Sequence, residues 1–101
     1  MSSAKFASLL KSAKLRKNDR IWFARWVDAY RESCGVGPND RIPVERDAVI
    51  AMLRQQKSKG RKAWQRLQMV RAVEYYRNAI LRTGEPDLHD IRELLARAAG
   101  Q

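Results

Sequence analysis

Apolar positions recur along the chain at helical spacing and nowhere alternate with period two, so the pattern predicts helices and no sheet. Ile21, Trp22, Phe23, Trp26, Val27 and Tyr30 return every three or four residues up to Cys34-Gly35, with Asn18 and Asp19 as candidate caps. Gly35 stands where a left-handed residue would end that helix, and the stretch Gly35 to Asp40 reads as a loop. A second helix is expected with Pro43 in its first turn and a stripe of Ala48, Val49, Ile50, Met52 and Leu53, running to about Gln56. The polar run Lys57-Ser58-Lys59-Gly60 then predicts a turn.

Between Arg61 and Leu81 there is neither Gly nor Pro, and this is expected to be the longest helix, closed by Thr83-Gly84. At about 100° per residue, Ala63, Leu67, Met69, Val70, Val73, Tyr76 and Ile80 gather on one face. Arg61, Gln65, Gln68, Arg71, Tyr75, Asn78 and Arg82 fall opposite, with Trp64 at the boundary and expected at the edge of the core. Asp87 and Asp90 open a last helix, whose Leu88, Ile91, Leu94 and Leu95 are expected to face inward and which ends near Ala99. The fold expected is all-α, a compact bundle of four main helices, with room for one more short helix near the N-terminus.

Length and composition narrow this picture. With 101 residues, 45% of them hydrophobic, one packed core is expected. Residues 1–17 are expected as a basic arm or short helix with Phe6, Leu9, Leu10 and Ala13 inward, and residues 18–101 as the folded domain. A basic, acid-free start also suits a transit peptide or a membrane-surface helix, but no apolar run approaches the roughly 18 residues a membrane span needs.

Charge changes the picture most. The 21 Lys and Arg outnumber 11 Asp and Glu for a net charge of +10, an excess that a polyanionic partner relieves. From Ala48 to Val73 the chain carries Arg54, Lys57, Lys59, Arg61, Lys62, Arg66 and Arg71 with no acid at all. The Glu-to-Lys pairs that usually lace a solvent-facing helix are missing there. Lys57, Lys59, Arg61 and Lys62 are expected to clamp phosphates, each contact releasing condensed counterions. Gln65, Gln68 and Arg71 have the donors and acceptors suited to base edges, and Arg66, nearer the apolar side, is expected to serve packing as much as nucleic-acid binding.

Catalytic chemistry finds little footing. His89 is the sole histidine and Cys34 the sole cysteine, which leaves no ligand set for zinc, and no metal or cofactor is expected. Glu85, Asp87, Asp90 and Glu93 cluster where they complement a helix dipole. Gly35-Val36-Gly37 follows a helix and lacks the Lys-Ser/Thr of a phosphate loop.

The succession IWFARWVDAYRESCG, IPVERDAVIAMLRQQKSKG and KAWQRLQMVRAVEYYRNAIL resembles the N-terminal SAM-like, core-binding domain of tyrosine recombinases of the phage-integrase and integron-integrase type. The resemblance spans roughly Asp19 to Ala99, with Tyr76-Arg77 as the closing pair of the third helix. Trp64-Gln65-Arg66 departs from it, standing where the family more often has a small hydroxyl residue. The resemblance implies a module that arches over one face of a recombination site in double-stranded DNA, in the cytoplasm and on the nucleoid, with self-association on the DNA as a further contact. It also implies a separate catalytic domain in the full-length protein that supplies the Arg, Lys, His and nucleophilic Tyr. Tyr75 and Tyr76 lack such surroundings, so this chain by itself is expected to be non-catalytic. The competing reading is a helical interaction module that docks a partner through Trp22, Phe23 and Trp26, which would then form one exposed patch.

Overall fold

A computed structural model describes residues 17–100, apart from the side chains of Lys17 and Asn18. It contains four α-helices: α1 (Lys17–Ser33), α2 (Arg46–Ser58), α3 (Ala63–Tyr76) and α4 (His89–Ala99), with a π-helical turn, Arg77–Leu81, continuing α3. No strand occurs among the described residues, which form an all-α four-helix bundle. The arm or helix expected for residues 1–17 lies outside the described residues, apart from Lys17, which belongs to α1.

The central element is α3, which packs most extensively against α1 and α4. On one flank Phe23 meets the Tyr75 ring at 6.1 Å and the Trp26 indole N–H donates to Gln68 Oε1 at 2.9 Å. On the other, Arg92 lies 3.7 Å from Glu74. Cover on two flanks broadens the buried face of α3 beyond a single stripe. Ala72 is therefore fully buried beside Met69, Val70 and Val73, while Ala63 and Leu67, expected on the core face, are only half-buried. Phe23, Trp26, Val27 and Tyr30 of α1, Val49, Met52 and Leu53 of α2, and Leu88 and Leu95 complete the core.

Two phenols organise the connection from α1 to α2. Its Ile42 and Val44 side chains are buried without a sheet to absorb their backbone groups, which must then find other partners. The Ile42 N–H donates to Tyr76 Oη at 3.0 Å. Tyr30 Oη donates to the Pro43 carbonyl at 2.9 Å and accepts from the Glu45 N–H at 3.3 Å. Burial pushes the Tyr30 phenol above its ordinary range, which keeps it a neutral donor. These bonds hold Pro43 outside the helix: α2 starts at Arg46 rather than around Pro43, and it runs to Ser58, two residues past Gln56.

Helix ends follow the glycines in two places. After α1, Gly35 takes φ +69° while the Gly35 and Val36 N–H groups donate to the Glu32 and Arg31 carbonyls. After α2, Gly60 takes φ +88°, and the N–H groups of Gly60 and Arg61 close on Lys57 and Gln56 in the same way.

Further expectations need correcting. Asn18 and Asp19 sit within α1 rather than capping it. The helix expected from Arg61 to Leu81 starts at Ala63 and runs to Leu81, widening into the π turn after Tyr76. Arg82, not Thr83-Gly84, ends it, in the left-handed region at φ 54°. Leu88, not Asp87, holds the N-cap position of α4, with the Asp87 carboxylate just before it accepting the His89 N–H at 3.0 Å, and Leu94 points outward at 67% exposure because the bundle covers only the Leu95 side of that turn.

Candidate nucleic-acid interface

The basic stretch is folded into a helix end, a tight turn and a helix start. Lys57 lies in the last turn of α2, Lys59, Arg61 and Lys62 in the turn shaped by Gly60, and Arg66 and Arg71 on α3. All are solvent-exposed except Arg66, which is half-buried. The first turn of α3 has no acid to neutralise it, and the Lys62 N–H is satisfied by Gln65 Oε1 at 2.8 Å.

Five carboxylates elsewhere have cationic partners. Asp28 and Glu32 are engaged by Arg31, Asp90 by Arg46, Glu74 by Arg92 and Glu93 by Arg97. Among the described residues, none of the seven cations from Arg54 to Arg71 has a carboxylate within 4.0 Å.

These cations do not form one face. Lys59 and Arg61 border a hollow beside Trp26, Gln55 and Gln56, on the α1 side of the turn. Arg54, Lys57 and Arg66 line a different groove, between α2 and α4, together with Arg46. Arg71 stands apart, in a depression shared with Asp19, Glu74 and Arg92, where nearby acids offset its charge.

Arg61 is positioned by an aromatic chain that the basic stretch alone does not disclose. Its guanidinium carbon lies 5.4 Å from the Trp26 ring centre, Trp26 stacks on Trp22 at 5.3 Å, and Arg25 lies 5.0 Å from the Trp22 ring. A cation resting on an aromatic face keeps its charge in solvent and loses side-chain freedom. Arg25 thereby joins the site by way of its i,i+3 partner Trp22, a signal the sequence does hold.

The two glutamines are already engaged inside the fold. Gln65 Oε1 closes the start of α3, and Gln68 Oε1 accepts the indole N–H of Trp26, a buried donor that requires a partner. Each retains its amide NH2 for an outside acceptor. Trp64, expected at the edge of the core, is instead 55% exposed, directly after the cationic turn. Phe23 and Trp26 are buried and Trp22 is half-buried, so α1 shows no exposed aromatic patch for a partner.

Among the described residues, no group of three or more His, Cys, Asp or Glu could hold a metal ion, and no helix is long and apolar enough to cross a membrane. No family model, curated protein or solved structure matches the chain.

Proposed function

We propose that this chain is a duplex-DNA-binding module, the core-binding domain of a tyrosine-type site-specific recombinase, working on nucleoid DNA in the cytoplasm while a separate domain performs strand cleavage. The observation that carries the reading is the set of seven cations without an acidic neighbour within ion-pair distance, in a fold where Arg31, Arg46, Arg92 and Arg97 each have one. Unpaired cations on a surface repel one another, and a phosphate backbone removes that repulsion while releasing its counterions.

In this arrangement Lys57, Lys59, Arg61 and Lys62 hold the backbone at the turn between α2 and α3. Arg61 arrives with its guanidinium already settled on Trp26, which reduces the ordering cost of its contact. Trp64 follows immediately, where its exposed ring can rest against a sugar or base. Base reading falls to the free amide groups of Gln65 and Gln68, while Arg71 serves a more distant contact. The order of helices and the Tyr76-Arg77 pair support the recombinase assignment through the family resemblance.

A salt titration tests the core of the proposal. With a labelled duplex followed by anisotropy, log affinity should fall linearly with log salt between about 50 and 200 mM, with a slope of about −0.9 per phosphate engaged. Charge reversal at Lys59, Arg61 and Lys62 should reduce the slope by roughly one per cation removed. A flat, weak response, or binding indifferent to those reversals, would overturn the proposal. Tighter binding to a single strand of the same sequence would replace duplex by single-stranded DNA as the ligand.

A further inference from the structure

The groove between α2 and α4 has a different character from the turn. Its volume is about 360 Å³, and Ile50, Leu53, Ile91, Leu94 and Leu95 supply an apolar floor beneath four cations, Arg46, Arg54, Lys57 and Arg66. Leu94, at 67%, is the most exposed large hydrophobic side chain among the described residues, and Ile50 and Ile91 are half-buried beside it. A phosphate backbone gains nothing from exposed leucine and isoleucine, which favour an apolar partner surface.

The one carboxylate at the groove is already neutralised. Asp90 is gripped by both terminal nitrogens of Arg46, one of them at 2.8 Å, and that hydrogen bond holds its carboxyl at about 2. Arg54, Lys57 and Arg66 are left facing the groove without carboxylates, and the Arg66 Nε is buried with no hydrogen-bond partner among the described residues. An apolar trough with a cationic rim is complementary to one kind of occupant, a helix with an apolar stripe flanked by acids.

We infer that the α2–α4 groove docks an acidic amphipathic helix of a partner protein, leucine-like side chains entering at i, i+3 or i+4, and i+7, with Asp or Glu reaching Arg54, Lys57 and Arg66. The chain's own segments suit the site poorly. Residues 1–16 are apolar in part but carry Lys5, Lys11, Lys14 and Arg16 with no acid, and a second copy brings a net charge of +10. The groove stands independently of the DNA proposal. Lys57 and Arg66 serve both surfaces, whereas Ile50, Ile91 and Leu94 belong to the groove alone.

The test follows the methyl and amide NMR signals of the full chain during titration with three designed peptides of about five helical turns, roughly 18 residues. One has a leucine stripe flanked by glutamates, the second has the same composition with the stripe scrambled, and the third has lysine for every glutamate. The first should shift Ile50, Ile91 and Leu94, and Leu94→Asp should weaken it at least about tenfold. Because Leu94 is exposed, that variant keeps the spectrum of a folded chain, and Leu94→Met should preserve binding. Equal binding by the scrambled or the lysine peptide, shifts confined to the Lys59–Lys62 turn, or no shift at millimolar peptide would overturn the inference. A duplex that moved the same three side chains and displaced the peptide would do so as well, reassigning the groove to nucleic acid. Failure of DNA binding alone leaves these peptide results unchanged.

Discussion

The two ends of α3 carry similar residues in opposite circumstances. At the C-terminal end Tyr76 and Arg77 are 2% and 7% exposed, and the Arg77 guanidinium donates to the Pro86 carbonyl and to Asn78 Oδ1, tying the approach to α4 onto the helix. At the N-terminal end Trp64 is 55% exposed, and Arg61 and Lys62 have no carboxylate within 4.0 Å. An aromatic ring beside an arginine thus serves the fold at one end and remains available to a partner at the other. Residue type does not separate the two cases; the packing of α1 and α4 does.

The sharpest way to break this contrast is to remove an aromatic ring from each end. Tyr76→Ala opens a cavity in the core and strips the Ile42 N–H of its acceptor, so denaturant unfolding should show a loss of about 3–5 kcal/mol. Trp64→Ala should change stability by no more than about 0.5 kcal/mol. If the two losses were equal, the division of α3 into a structural and an available end would be wrong.

Removing only the hydroxyl refines the same point. Tyr76→Phe keeps the ring and leaves a buried N–H unsatisfied, for an expected loss of about 1–3 kcal/mol in the same measurement. Lys62→Met at the other end removes an exposed cation with no carboxylate neighbour and should not lower stability measurably, while reducing the DNA salt slope by about one.

Much of this was readable beforehand and some was not, for physical reasons. The aromatic periodicity of α1 and the stop at Gly35 are local signals, as is the turn at Gly60, and all of them appear in the structure. The basic stretch was readable as charge. Its division between the Trp26 hollow and the α2–α4 groove was not, because that depends on which helices lie alongside. Gln68 looks like a free polar residue until Trp26, 42 positions away, donates to it. Arg46 and Asp90 are 44 positions apart, and no spacing rule connects them. The outward turn of Leu94 likewise follows from how far the bundle extends over α4. Pro43 looked like a helix start because proline suits one, yet the hydroxyl of Tyr30 holds its carbonyl in an extended segment.

The turn itself offers a smaller test. Gly60 holds φ +88°, and a Cβ built there meets nothing within 4 Å, so Gly60→Ala carries only the conformational cost of the left-handed region, about 1 kcal/mol. Thermal unfolding should register that loss. Because the same turn presents Lys59, Arg61 and Lys62 together, duplex affinity should weaken although no charge has changed. If stability fell while affinity was untouched, the cations would not depend on the shape of the turn.

The smallest effect expected comes from the exposed pair Arg46–Asp90, which joins the start of α2 to the first turn of α4. The Arg46 hydrogen bond lowers the Asp90 carboxyl from its ordinary 3.8 to about 2, and Asp90 in turn raises the Arg46 guanidinium. A carboxyl depressed on folding stabilises the native state when ionised in both states, so the contribution is complete above 3.8. It fades as pH falls toward 2, where the folded protein also takes up the proton. Urea unfolding of the parent and of Asp90→Asn should therefore differ above pH 4 and converge as the pH approaches 2. Both side chains are solvent-exposed, so the gap should stay small and shrink with added salt. A difference that persisted unchanged at the lowest pH would mean that the substitution acts through the packing of α4 rather than through the pair.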